Sequence, residues 1–404
     1  MPTHLSRADA SAAPAESPPA GPMGNAGRIV HVSPRIQGRG GIESLHHRHR
    51  RWPRAQRFIA LFDRQPEARP DYENLDFSWA TPLRVMRREF QRALAPHAGA
   101  VVVYHNAWGL PLFADIDGAA RRVAFLHGSP EFHAPDLPPL AGLIDGVVSV
   151  TPEAHAGWSG HLPGITAERQ LLARLPVDLP EVPPPSTGRG RPPLVLGYAG
   201  RIERRHKRLD RLPGLLRALR ARGVDFRFEV LGEGTYRRKL EREAGADLRF
   251  HGWVSREEFW RIMAGWDAAV FFSDVEGGPI ALIEAMACGA LPFFPTCGGS
   301  WGDRYAPAVD PRCHYPAGDM AALAAALEQV FRLPAAELQT RRDTARGLAA
   351  RHRGEEYDAA LLAFLDQVAA LPRLAVPPAR AAKWSDRLPL GFMTRFARAT
   401  LASG

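Results

Sequence analysis

The sequence predicts an α/β protein of two domains, each built on a mostly parallel sheet, and three observations carry that prediction. A chain of 404 residues exceeds the roughly 250–300 at which single hydrophobic cores stop growing. Short apolar runs alternate with longer amphipathic ones, the rhythm of βα units. Between two such stretches lies Pro180-Glu-Val-Pro-Pro-Pro-Ser-Thr-Gly-Arg-Gly-Arg-Pro-Pro193, which has neither period and many residues unable to join a ladder. The expected organisation is a disordered tail over 1–27, a first domain over 28–179, a linker over 180–193, a second domain over 194–372, and a C-terminal tail over 373–404. That tail carries Leu388, Leu390, Phe392, Met393 and Phe396 beside several arginines, and it is expected to fold back across the first domain, with surface attachment as the alternative.

Composition narrows the classes. Hydrophobic residues at 45% and charged residues at 24% are those of a soluble globular chain. Cys288, Cys297 and Cys313 are too few and too irregular for a disulfide framework or a four-ligand zinc site, which favours a reducing cytoplasm. Met1 to Gly27 lacks the apolar core of a signal peptide, and no run of about eighteen apolar residues suggests a membrane span. A net charge of +9 points to an anionic partner without choosing among nucleic acid, lipid and phosphorylated substrate. The densest basic run, His46 to Arg57, is expected to be a solvated helix face, with attraction to an acceptor or an anionic membrane as the alternative.

The second domain has the clearer element pattern. Leu194 to Ala199 is a buried strand ending in Gly200, and Leu209 to Arg222 has leucines at helical spacing. Phe226 to Leu231 is a strand closed by Gly232-Glu-Gly234, Ser255-Arg-Glu-Glu258 a capping box, and Asp267 to Phe272 the next strand. Pro279 and Gly289 bracket a helix over Ile280 to Cys288, with proline expected in its first turn. Helices near Met320–Phe331 and Glu355–Leu371 complete the domain. In the first domain Arg28–Ser33, Val101–Tyr104, Val123–Leu126 and Gly146–Val150 are expected strands, separated by segments rich in Arg, His and Pro.

The chemistry concentrates in Asp274 to Gly289, which passes from a strand end through a glycine turn into a capped helix. Free backbone N–H groups and a partial positive charge at such a helix start hold phosphate, and Gly277 and Gly278 let a ligand approach the backbone. Eight residues of helix span about 12 Å, so Glu276 and Glu284 are poorly placed as a glycosidase pair, whose carboxyls lie about 5–9.5 Å apart. One carboxylate at a sugar and one deeper, at a ribose, is the more natural arrangement.

The two glutamates separated by seven residues resemble the signature of the retaining GT-B glycosyltransferases of family 4, the glycosyl transferases group 1. The resemblance runs from about Leu194 to Cys313 and more faintly over the first half. It implies two facing Rossmann-like domains with a donor/acceptor cleft between them. Gly200-Arg201 followed by Lys207 is similar to the family's grip on the donor diphosphate, a planar fork and a point charge. By the same resemblance Glu276 meets donor-sugar hydroxyls, Glu284 meets the ribose, and Gly277, Gly278, Pro279 and Ile280 face the diphosphate. Gly232, in Leu231-Gly-Glu-Gly234, matches a glycine-rich turn, and Phe250 to Val254 a segment beside the base. Gly40 and Gly41 resemble the glycine loop beneath the diphosphate, and His127 resembles a histidine near the reacting carbon, although Gly128 stands where many members have Asp. Asn106 and Trp108 are acceptor-side candidates on position alone.

The implied activity is metal-independent transfer of a sugar from a UDP- or GDP-sugar to a glycan, lipid-linked or small-molecule acceptor, with retention of configuration. Glu276, His127, Arg201 and Lys207 form its catalytic group, and no cofactor or metal is expected, since no Asp-x-Asp cation site accompanies the diphosphate. A cytoplasmic protein, peripheral at the inner membrane face, fits that expectation. A sugar-nucleotide 2-epimerase on the same architecture is the rival. A nucleic-acid-binding protein is disfavoured, because no helix-turn-helix, zinc-finger or aromatic RNA-binding signature is present.

Overall fold

The computed structural model describes residues 27–37, 41–63, 68–113, 115–116, 121–128, 142–162, 164–179, 192–244, 248–372 and 384–391. The expected tail over 1–27 and linker over 180–193 therefore lie almost wholly outside the described residues, as does Gly40.

In chain order the first half folds as β1 (Ile29–Ser33), α1 (Gly41–His49), β2 (Gln56–Ala60), β3 (Tyr72–Asn74), α2 (Leu83–Leu94), β4 (Val101–His105), α3 (Leu110–Phe113), β5 (Arg121–Leu126), β6 (Gly146–Ser149), α4 (Pro152–His161) and β7 (Gln170–Leu172). The second half continues with β8 (Leu194–Ala199), α5 (Leu212–Ala221), β9 (Phe226–Leu231), α6 (Arg237–Ala244), β10 (Leu248–Gly252), α7 (Arg256–Ala264), β11 (Ala268–Val270), α8 (Ile280–Ala287), β12 (Leu291–Pro295), α9 (Trp301–Val309), β13 (His314–Tyr315), α10 (Met320–Phe331), α11 (Ala335–Ala349) and α12 (Gly354–Ala370).

The first sheet has the order β3-β2-β1-β4-β5-β6-β7 and the second β10-β9-β8-β11-β12-β13. Pairing is parallel throughout, for example Ile29 with Val101 across β1 and β4, and Leu194 with Phe226 across β8 and β9. Strands buried on both faces become continuous apolar runs, and Val101–His105 and Leu194–Ala199 are buried along their whole length. In both sheets the strand order reverses at the first strand, between β1 and β4 and between β8 and β11. At such switch points the loops diverge and leave a crevice beyond the carboxyl ends.

Several local expectations change. Pro279 takes the N-cap position of α8 rather than its first turn. Ser255 caps α7 by accepting from the Glu258 N–H at 3.2 Å, but the Glu258 carboxylate pairs with Arg261, so the box is half made. The basic run after β1 is not a solvated face. His46 and His49 are buried, Arg48 pairs with Asp178 at 2.9 Å and Asp358 at 2.6 Å, and Arg54 pairs with Asp366 at 2.8 Å. Those last two acids belong to α12, which follows the second sheet in the chain but packs through Tyr357, Leu361, Phe364, Leu365 and Val368 into the core of the first. Further along, Leu390 joins the opposite core layer of that domain, and its N–H donates to the Thr81 carbonyl at 3.2 Å.

Candidate active site

The site is assembled where the carboxyl ends of β8 and β11 face the first domain. After β8 the loop from Gly200 to Arg208 ends in a left-handed Arg208, φ 50°, an uncommon conformation for a residue with a Cβ. Arg208 and Arg211 both pair with Asp274, Arg211 at 2.5 Å. Burial opposes charging of Asp274, but hydrogen bonds from the two arginines outweigh it and hold the carboxyl below its usual range. This clasp ties the two switch-point loops together and sets Lys207 against Glu276, whose Oε1 accepts from both Lys207 Nζ and Ser273 Oγ, the latter at 2.6 Å.

Glu276 is followed at once by the start of α8, whose first-turn N–H groups have no partner within the helix. Gly277 and Gly278 are there because nothing larger fits. A Cβ on Gly277 would lie 2.3 Å from the His127 carbonyl oxygen, and one on Gly278 2.3 Å from Leu175 Cδ1. Both obstructions come from the first domain, so the turn is also where the two domains touch. Ser300 Oγ donates to the Gly277 carbonyl at 2.9 Å and anchors the turn from the α9 side.

Deeper along α8, Glu284 Oε1 accepts from Arg256 at 2.7 Å. Burial pushes the Glu284 carboxyl above its ordinary value, against the pull of that arginine. Arg256 is itself held over the Trp260 ring, 4.4 Å from its centre.

One cavity of about 680 Å³ gathers Gly41, Gly200, Arg201, Lys207, Gly232, Glu276, Gly278, Pro279, Ile280 and Glu284 in its walls. Arg201 is the loosest of them, with a side chain 62% exposed and Glu203 3.4 Å away. Two expected residues stand apart. Gly277 lies at the domain contact, and His127 is beside the cavity rather than in its wall, with its N–H donating to Asn106 Oδ1 at 2.9 Å and its ring stacked on Phe125. Asn106 can do this because it, too, is left-handed, φ 51°.

Trp253 lies in the segment expected beside the base, and sequence reasoning missed Ser44, His47, Arg256 and Phe259, which also line the cavity. Arg256 could have been found from its place, first in the helix after a capping serine; His47 sat hidden in a run taken to be solvated.

Comparison with known proteins agrees with this geometry. Residues 193–332 match the family described as Glycosyl transferases group 1. This part of the chain resembles a group 1 glycosyl transferase domain. Part of the chain is 36% identical over 98 residues to a GDP-mannose-dependent alpha-(1-6)-phosphatidylinositol dimannoside mannosyltransferase of Mycobacterium tuberculosis. That match spans 24% of this chain and only 26% of the relative.

Solved structures extend the likeness beyond the group 1 domain. Sucrose-phosphate synthase from Thermosynechococcus elongatus superposes with a TM-score of 0.64 at 15% identity, over 93% of this chain and 100% of that one. The lipopolysaccharide outer core galactosyltransferase WaaB gives 0.62 at 17%, over 84% and 99%. An Escherichia coli structure described as trehalose-6-phosphate bound with UDP-2-fluoro glucose gives 0.63 at 15%, over 84% and 99%. At such identities the likeness is one of fold, and the fold is GT-B, with the matched residues 193–332 in its second half. Among the described residues no helix is long and apolar enough to cross a membrane.

Proposed function

We propose that the chain transfers a sugar from a nucleotide-diphosphate donor to an acceptor in the cleft between its two sheets, as a retaining enzyme of family 4. The observation that carries the reading is the convergence of Lys207, Glu276 and the start of α8 in one cavity, a cation and an array of N–H groups where two linked phosphates need them. The matched mannosyltransferase uses GDP-mannose, and one fold neighbour holds a UDP-sugar; the chemistry they share is a nucleoside diphosphate.

In this reading the diphosphate lies across the Gly277–Ile280 turn and competes with Glu276 for the Lys207 ammonium. Arg201 swings in from the cavity wall to meet the second phosphate. The freed Glu276 carboxylate accepts from sugar hydroxyls, and Glu284, steadied by Arg256, accepts from the ribose. As the anomeric C–O bond breaks, negative charge grows on the departing phosphate oxygen, where Lys207 and the helix start stabilise it. The acceptor hydroxyl oxygen, arriving from the side of the first domain, forms the new bond to the anomeric carbon as its proton passes to the departing phosphate oxygen. His127 contributes its backbone to the seal at Gly277 and its ring to the reacting face. Metal-independence belongs to the same proposal, since two cationic side chains already face the leaving group.

A melting screen over UDP-, GDP- and ADP-sugars identifies the donor, because a ligand that binds only the folded state raises its transition. Incubation of that donor without acceptor must then yield no epimer; epimer formation would assign the chain to the rival class. Glycan and lipid-linked acceptors are tested with the same donor. Co-sedimentation with anionic vesicles at low and high salt tests a peripheral position at the inner membrane face.

A further inference from the structure

The crevice at the switch point of the first sheet is filled by imidazoles. His31 stands on β1, His105 ends β4, and His46 and His49 lie three residues apart on α1. All four side chains are buried completely, and one nitrogen from each lies within 4.8 Å of the others.

The hydrogen bonds sort the nitrogens into two sets. Gln56 donates its amide to the His49 carbonyl at 2.5 Å, which turns its oxygen toward His31 Nε2 at 3.2 Å. Tyr357 OH meets His49 Nε2 at 2.8 Å, and His127 Nε2 meets His105 Nδ1 at 3.0 Å. Three rings are thus held from outside by one nitrogen while the other points inward: His49 Nδ1, and His31 Nδ1 and His105 Nε2, which share one hydrogen bond at 3.1 Å that an ion between them would replace. Among the described residues His49 Nδ1 and both nitrogens of His46 have no partner, and unpaired polar atoms are costly so far from water. For His31, His49 and His105, an outer partner that fixes the ring and a second nitrogen turned toward a common centre is the arrangement of metal-bound histidines. Burial opposes charging of all four rings, and the uncharged imidazole is the form that ligates.

We propose that His31, His46, His49 and His105 form a structural binding site for one late first-row divalent cation such as Zn²⁺. Four imidazoles suit Zn, Cu or Ni and not Mg or Ca. Nitrogens at about 2.0–2.1 Å from a tetrahedral ion lie about 3.3 Å apart, so binding draws the rings inward by small side-chain shifts. With four protein ligands the site has no open position for a substrate. It staples β1, α1 and β4 together and, through His105, positions His127. It is separate from the donor cavity and does not depend on the activity proposed for that cavity.

The test uses the full chain, stripped with a chelator and titrated with Zn²⁺ and with Co²⁺. The expected result is uptake of one equivalent, a melting temperature several degrees higher, and the visible absorption of tetrahedral Co²⁺. The variants His46→Gln and His49→Gln lose that equivalent, whereas His206→Gln, on an exposed loop, keeps it. Absence of stoichiometric uptake by the wild-type chain overturns the proposal, as does an undiminished equivalent in both cluster variants. Should a variant fail to fold, the wild-type titration and the Co²⁺ spectrum decide alone. Glu276→Gln takes up the same equivalent, which separates this site from the donor cavity.

Discussion

The two switch points have one topology and opposite contents. In the second domain the crevice between β8 and β11 is open and charged, walled by Arg201, Lys207, Glu276 and Glu284. In the first, the equivalent space between β1 and β4 is closed and filled with buried imidazole rings. The chain order of a parallel sheet therefore offers a place for a ligand, and the side chains on the next helix decide whether it is used as a cleft or sealed. Here α8 brings small residues and a carboxylate to the gap, whereas α1 brings His46 and His49.

The contrast can be broken in several ways. The largest effect is expected beneath the open crevice, where Arg342 and Asp267 form a buried pair at 2.8 Å behind β11. Arg342→Ala leaves the buried Asp267 carboxylate without its counter-charge, though the Val195 N–H still donates to it at 3.0 Å, and should cost about 3–5 kcal/mol, read as a lower denaturation midpoint; Arg342→Met should cost less. A midpoint unchanged in Arg342→Ala would show that water reaches the carboxylate.

Removing Lys207 attacks the open crevice itself. Lys207→Ala should lower turnover by about 10²–10³, the loss typical of one preorganised group on a developing charge, with an unchanged melting curve. Near-normal turnover removes the lysine from the chemistry and with it the main contrast between the crevices.

A third measurement asks what a sealed, neutral histidine does to stability outside the first crevice. His352 is buried between the Tyr305 hydroxyl, at 2.8 Å, and the Leu175 carbonyl, at 2.8 Å, and burial lowers it to about 4. A histidine depressed in the fold binds its proton first in the unfolded chain. Its contribution is whole above the unfolded value near 6.5 and drains away as pH falls toward 4, by up to about 3 kcal/mol. His352→Asn should flatten that part of the stability curve; an unaltered acid slope would mean that His352 charges freely in the folded protein.

The smallest effect sharpens the assignment of the deeper carboxylate. Arg256→Gln should raise the donor KM about tenfold, the loss of about 1.4 kcal/mol of binding, while leaving kcat nearly as it was. A fall in kcat with KM unchanged would move Glu284 from the ribose to the reacting centre.

Much of the second domain was legible because its signals are local. The passage from strand to paired glycines to a proline-started helix lies within Asp274 to Gly289, and Lys207 follows Gly200-Arg201 in one loop, in the order the family resemblance implies. The structure brings ten of the expected residues into one cavity wall for that reason. What escaped was of three kinds. β2 opens on Gln56 and Arg57 after a basic stretch, so its apolar end looked like part of a polar segment. α11 buries only Leu338, Arg342, Ala345 and Ala349, too faint a stripe for a hydrophobic period, and α9 carries Pro307 inside it. The histidine cluster is written across 75 residues, and only the order β2-β1-β4 brings it together. The expectation of no metal rests on the lack of an Asp-x-Asp site beside the diphosphate and of a cysteine set, and imidazoles within a core fall outside both signals.

The crossing of α12 onto the first domain has a consequence for how the halves move. The chain passes between them twice, once after Val177 and once near His352, and the two passages are stitched together by the Val177 N–H to the His352 carbonyl at 2.9 Å and by the ring of His352 on Leu175. A single tether would let the halves swivel in any direction. Two laid side by side, like the paired pins of a door, resist twisting between the halves and hold Gly277 in register with His127.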